Sequence, residues 1–258
     1  MEETVVISLE EYVKFIEELP YEFSLSRGQY ADFPLLPAAL RTDTDNKRLY
    51  SNQAIEGFLE EFYNYSNMYI FGGNLSYSYS KKDFQTMIWA QHYGVPTQLL
   101  DFSYSHLISL MFAVENSFTK SEPGKAVVWF LNPNELNFLS TGQVSKVIRN
   151  ISDPSVERSD YDSYTMPVAV TCVKSNKRVQ AQNGDFVYFK PSDRALEKYP
   201  DAEKFLKKVV IPGDRAKSIL TSLYRIGLRP SHLYPEITSV SKDILLRHAV
   251  KEASNNDE

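Results

Sequence analysis

QHYGVPTQLLDFSYSHLISLMFAVE, from Gln91 to Glu115, decides how this chain is read. In it, polar residues with usable chemistry run directly into the most apolar helical segment of the sequence. Gln91, His92 and Tyr93 close one predicted helix, Gly94 stops it, and Pro96 blocks its return. Thr97, Gln98 and Asp101 follow around Leu99 and Leu100. A second helix is expected from Ser103 or Ser105, with Leu107, Ile108, Leu110, Met111, Phe112 and Val114 making it apolar on nearly every side, so it must be buried. Asp101 and the two serines then sit at the mouth of that helix. Two uses fit the position: a helix cap, the commoner one, or an anion site built on free N–H groups and the positive dipole end.

On the N-terminal side of this stretch, Ser8 and Glu11 form a capping box for a helix that Pro20 ends. Glu22 to Ser26 reads as a strand, leaving Arg27, Gly28 and Gln29 just past its end. Pro34 to Arg41 reads as a loop or a short helical turn. Leu49 to Tyr65 and Lys81 to Tyr93 read as helices, separated by an aromatic loop through Gly72 and Gly73.

Beyond Glu115 the texture shifts toward strands: Ala126 to Leu131, Val168 to Val173, Arg178 to Ala181, Gly184 to Phe189 and Lys207 to Ile211. Asn183-Gly184 reads as a tight turn between two of them. A polar loop spans Ser152 to Thr165, and helices are expected over Asp201 to Leu206, Arg215 to Ile226 and Tyr234 to Val250. Residues 251–258 read as a frayed, disordered tail. Helices before strands, with no repeat and no compositional break, point to an α+β fold in one domain spanning 1–258.

Bulk properties narrow the function. A net charge of −5 over 258 residues argues against duplex DNA held by phosphate neutralisation. The single cysteine, Cys172, provides neither a disulfide framework nor a thiolate metal site. His92, His106, His232 and His248 show no metal-ligand spacing, so no metal is expected. No apolar run approaches the roughly 20 residues of a membrane helix, and no signal pattern opens the chain, which places it in the cytoplasm. Walker A, GxGxxG and GxSxG motifs are lacking. Tyr63, Tyr65, Tyr69, Tyr77 and Tyr79 cluster either as half-buried packing or as a base-stacking platform.

Arg27, followed by Gly28, suits a phosphate or carboxylate held through two parallel hydrogen bonds with the backbone close by; an ion pair to Asp32 or Asp101 is the equal alternative. Arg178, Gln180 and Gln182 alternate on their predicted strand and mark a solvent edge or a polar pocket wall. His92 is an acid or base candidate, or a cap.

Taken together, these pieces resemble the FRG domain family. Ser26-Arg27-Gly28-Gln29 with Pro34, Pro37 and Arg41 resembles its opening, Ser26 standing in the Phe position. Gln91 to Asp101 resembles its His-Tyr-Gly-x-Pro-Thr-x-Leu-Leu-Asp block. Arg178, Gln182, Gly184 and Phe186 resemble a later element, and YRIGLRPSHLYPEI (Tyr224 to Ile237) its close. The similarity runs from about Phe23 to about Ile244.

The resemblance implies helices around a split, mixed sheet laid out like an ADP-ribosyltransferase, with NAD as substrate. It places Arg27 on the NAD phosphates, Ser103 or Ser105 near the nicotinamide ribose and Gln182 at the third position, where such enzymes usually carry glutamate. Asp101 is the expected replacement carboxylate; Asp185 is less suited, because strand neighbours face opposite ways. The catalytic set is then Arg27, His92, Asp101 and Gln182. Gly28, Gln29, Gln91, Tyr93, Thr97, Ser103, Ser105 and Arg178 bind substrate. The implied role is an NAD-using enzyme of bacterial or phage conflict, toxin-like, with a protein or RNA acceptor; a non-catalytic nucleotide sensor or inhibitor and an RNA-directed toxin are the rivals.

Overall fold

The structure is a computed structural model that describes residues 2–71, 84–119, 124–143, 148–174 and 177–256. Among them run seven strands: β1 (Glu3–Val5), β2 (Leu25–Gln29), β3 (Leu99–Ser103), β4 (Ala126–Leu131), β5 (Val168–Val170), β6 (Gly184–Tyr188) and β7 (Leu206–Ile211). The helices are α1 (Leu9–Glu18), α2 (Asn52–Phe71), α3 (Phe84–His92), α4 (His106–Val114), α5 (Pro133–Thr141), α6 (Lys177–Ala181), α7 (Ala202–Phe205), α8 (Gly213–Arg225), α9 (Pro230–Leu233) and α10 (Ile237–Asn256). The strands form one mixed sheet in the order β1-β7-β4-β2-β3-β6-β5, parallel between β1 and β7 and antiparallel elsewhere. This is the expected α+β architecture, helices around a mixed sheet.

The sheet is nearly divided in two. β2 pairs with β4 along its whole length, from Leu25 opposite Leu131 to Gln29 opposite Val127. β3 pairs with β6 in the same way, from Leu99 opposite Tyr188 to Ser103 opposite Gly184. Between β2 and β3, however, the only paired position is Ser26 opposite Ser103. Beyond that joint the two halves part.

Alternation along the strands sends residues to two faces. Val128, Phe130, Val209 and Ile211 pack under α1, α4 and α8. Leu25, Val127, Trp129, Leu131, Leu100 and Val187 pack on the other side against Leu35, Leu40, Leu136 and Phe205. A third cluster joins Phe84, Met87 and Ile88 of α3 to Leu99, Val168, Phe186 and Tyr188. The polar segment from Ser152 to Thr165 is tied into this cluster: Tyr161 is buried, with ring contacts to Phe84 and Tyr188, and Arg158 forms a two-pronged ion pair with Glu56.

Several expectations are corrected. The strand expected over Glu22 to Ser26 forms three residues later, so Arg27, Gly28 and Gln29 lie inside it. Asp101 lies on β3, not at a helix start, and Ser105 is the N-cap of α4, its hydroxyl accepting from Ile108 N at 3.4 Å. The segment read as a strand from Arg178 to Ala181 is the helical turn α6, whose i to i+4 spacing keeps Arg178 and Gln182 on one side as alternation would have done. Asn183 therefore joins a helix to a strand, in the left-handed conformation with φ 46°. α10 continues through Asn256, over most of the segment read as a tail. The loop through Gly72 and Gly73, with Tyr77 and Tyr79, lies outside the described residues.

Gly28 fixes how α4 meets the sheet. A Cβ built there would stand 1.7 Å from the Ser109 carbonyl oxygen and 2.8 Å from Ala113 N, both backbone atoms of α4. The glycine thus admits the helix, rather than a ligand, against the strand. Gly28→Ala must push helix and strand apart, and overpacking of this kind costs about 3 kcal/mol. Urea unfolding of the variant is expected to show that loss; a change below about 0.5 kcal/mol would contradict the close packing.

Candidate functional site

The site is built where the two half-sheets part. Past the Ser26–Ser103 joint, Arg27 reaches across and donates from Nη1 to the Asp101 carbonyl oxygen at 2.9 Å, with the Asp101 carboxylate at 3.7 Å. Its Nε donates to Gln29 Oε1 at 3.3 Å, and Gln29 in turn donates to the Phe33 carbonyl at 2.8 Å. Among the described residues Nη2 has no hydrogen-bond partner. Of the two ion pairs foreseen for Arg27, the one to Asp101 forms, while Asp32 binds Lys208 at 2.7 Å. Burial lowers the Arg27 guanidinium from its ordinary value and nearby Arg41 adds to this, with Asp101 opposing both.

Asp101 is held from its other side. Gln91 donates to its Oδ1 at 2.6 Å, and the Thr97 hydroxyl donates to Gln91 Oε1. Both ends of the Gln91 amide are therefore occupied, and the chain from Thr97 through Gln91 to Asp101 and Arg27 orients one carboxylate and one guanidinium. The carboxylate stays 58% exposed.

A cleft of about 500 Å³ opens beside this pair. Its walls come from Ser26 to Gln29 on β2, Asp101 to Ser103 on β3, Gln91 and His92 at the end of α3, Phe112 and Glu115 at the end of α4, Arg178 and Gln182 around α6, and Tyr234. Volume and mixed lining are those of a small-molecule site. Three arginines (Arg27, Arg41 and Arg178) and three carboxylates (Asp101, Glu115 and Asp185) line it.

Most of the residues singled out in the sequence meet here: Arg27, Gly28, Gln29, Gln91, His92, Asp101, Ser103, Arg178 and Gln182 all border the cleft. Three do not. Thr97 is buried behind Gln91 and acts only through it. Tyr93 is 61% exposed and stacks on Trp89, outside the cleft. Ser105 is occupied in capping α4. Two others reach the cleft already committed: Gln182 donates from its side chain to the Leu233 carbonyl at 3.2 Å, and Ser103 donates to the Gln182 carbonyl at 2.7 Å.

Glu115 and Tyr234 were not foreseen. The Tyr234 hydroxyl donates to Glu115 Oε1 at 3.1 Å. Burial raises the Glu115 carboxyl above its ordinary value, while Lys242, Tyr234 and Arg178 work against the rise. A carboxylate closing an apolar helix at its C-terminal, electronegative end was the available signal. Asp185 also lines the cleft, but it is buried and accepts from Thr171 at 3.0 Å and from Tyr104.

Elsewhere, Tyr65 and Tyr69 on α2 are 77% and 91% exposed, beside Glu61 in a shallow hollow. Among the described residues no helix is long and apolar enough to cross a membrane, and no group of three or more His, Cys, Asp and Glu is placed to hold a metal ion.

Residues 24–122 match the family model of the FRG domain. The chain contains an FRG domain. The match takes in β2, β3 and α4, and hence Arg27, Asp101 and Glu115; the FRG-like blocks noted after residue 122 lie beyond it. No curated protein and no solved structure matches the chain significantly.

His92 reports on the electrostatics of this cleft. Desolvation and then Arg178 lower its imidazole below the ordinary 6.5, and Glu236 pulls it back up. The unfolded chain therefore binds a proton first as pH falls, and His92 contributes stability above the ordinary value that is lost below it. An NMR titration is expected to place the His92 midpoint below 6.5, higher in Arg178→Gln and lower in Glu236→Gln. A midpoint unmoved by both substitutions would contradict the arrangement.

Proposed function

We propose that the cleft binds NAD and that the protein is an ADP-ribosyltransferase-like enzyme, transferring ADP-ribose to an acceptor or hydrolysing NAD. The observation that carries this reading is the pairing, in one hollow, of an arginine anchored at the split in the sheet with carboxylates beside it. Arg27 is held by the Asp101 carbonyl and by Gln29, which leaves Nη2 for an incoming ligand. A guanidinium fixed in this way suits the pyrophosphate of a dinucleotide. Phe112, Phe33 and Tyr234 supply flat apolar surface for its rings.

Cleavage of the bond between nicotinamide and ribose passes through an oxocarbenium-like state, which a nearby carboxylate stabilises. Asp101 and Glu115 both border the cleft. Their presence favours catalysis over simple capture of a nucleotide. The RNA-directed reading is weaker, because Glu60 and Glu61 share α2 with the exposed tyrosines and repel phosphate. A place in bacterial or phage conflict rests on the resemblance alone.

Thermal denaturation with and without NAD tests the reading. NAD at 100 times its Kd is expected to stabilise the protein by about 2.7 kcal/mol, visible as a rise in Tm, and Arg27→Ala is expected to lose that rise. Wild-type protein is expected to release nicotinamide. Stabilisation without any nicotinamide would assign the cleft to a sensor or inhibitor instead, and an Arg27→Ala variant that keeps both effects would overturn the proposal.

A further inference from the structure

Two carboxylates that border the cleft differ in what they are free to do. Asp101 has Oδ1 bonded to Gln91 and the Arg27 guanidinium 3.7 Å from Oδ2, so both of its oxygens face a partner. Glu115 has one oxygen bonded to the Tyr234 hydroxyl, and among the described residues Oε2 has no hydrogen-bond partner.

Tyr234 is itself flanked by cations: the Arg178 guanidinium carbon lies 5.1 Å from the ring centroid and the Lys242 ammonium 4.5 Å. The charged and titratable groups facing Glu115 are thus Tyr234 from the segment between α9 and α10, Lys242 from α10 and Arg178 from α6.

We propose that Glu115 is the catalytic base of the cleft and that the group it deprotonates is a neutral hydroxyl, water in the simplest case, rather than a cationic side chain. The inference rests on the NAD reading above. A guanidinium or ammonium acceptor at Glu115 would be repelled by Arg178 on the cleft wall and by Lys242 on the Tyr234 ring. A neutral hydroxyl meets no such repulsion, and it needs a base, because its proton must leave as the new bond forms. Burial prepares Glu115 for this by raising its proton affinity toward the working range of a general base.

In the step itself the bond from ribose C1′ to the nicotinamide nitrogen breaks, and its electron pair leaves with neutral nicotinamide. The hydroxyl oxygen forms the new bond to C1′, and its proton passes to a Glu115 carboxylate oxygen and then to solvent. NAD and water give ADP-ribose, nicotinamide and a proton; an alcohol gives the O-linked ADP-riboside instead.

The test follows nicotinamide release and product identity with NAD alone, with methanol and with agmatine, a guanidinium acceptor. Wild-type protein is expected to give ADP-ribose, to divert part of it to the methyl riboside in methanol, and to give no agmatine adduct. Glu115→Gln, which keeps the size and the hydrogen bond from Tyr234, is expected to bind NAD as tightly and to turn over roughly 100-fold more slowly or worse.

The pH profile separates this role from a structural one. Turnover is expected to fall on the acid side as Glu115 protonates. Tyr234→Phe removes a donor that stabilises the carboxylate, so that limb is expected to move to higher pH. Glu115→Gln turning over within a few-fold of wild type, or agmatine outcompeting water, overturns the inference and leaves the NAD reading standing. NAD bound by wild-type protein without any nicotinamide release overturns both.

Discussion

Helix α4 lies directly on strand β2, with the Ser109 carbonyl where any side chain at position 28 would stand. That contact needs a strand residue without a Cβ and a helix apolar enough to be buried. It brings Ser26 of β2, Ser103 of β3 and Ser109 and His106 of α4 into one buried polar knot: Ser26 Oγ lies 2.9 Å from Ser109 Oγ, 2.8 Å from His106 Nδ1 and 3.4 Å from the Ser103 carbonyl. The knot sits at the only paired position between the half-sheets. Beyond it the strands separate, and the cleft is the space they leave.

Each cleft group follows from this arrangement. Arg27 is one residue past the joint, so it can span the gap to Asp101 while β2 remains paired to β4 on its other edge. Asp101, two residues before the joint on β3, is half exposed and needs Gln91 to fix it. Glu115 sits at the far end of α4, where burial and the helix C-terminus both disfavour its charge. One helix and one split thus set a carboxylate paired with Arg27 and a second one bonded to Tyr234 on the walls of the same cleft.

Much of this was legible in the chain. The apolar helix after Asp101, the strand from Ala126 to Leu131 and the N-cap at Ser8 follow from period and capping chemistry alone, although the Glu11 side chain accepts from Ile7 N rather than closing a capping box on Ser8. Gathering Arg27, His92, Asp101 and Gln182 at one cleft needed the family resemblance, since Arg27 and Gln182 lie far in sequence from the stretch that holds His92 and Asp101. What escaped was tertiary. Asp101 reads as a helix cap because local chemistry is the same for a cap and for a strand residue beside an arginine, and only the pairing with β6 decides between them. Arg178 to Gln182 has polar spacing that suits a strand, yet it closes a helical turn. Glu115 looks like an ordinary surface acid until Tyr234, from more than a hundred residues later, is placed against it.

We propose that the gap between β2 and β3 receives a dinucleotide through Arg27. A crystal structure with a non-hydrolysable NAD analogue tests it most directly. The pyrophosphate is expected within about 3 Å of the Arg27 guanidinium, with the ribose next to nicotinamide turned toward Glu115. An analogue bound away from the split, or a cleft that stays empty at saturating analogue, would contradict it.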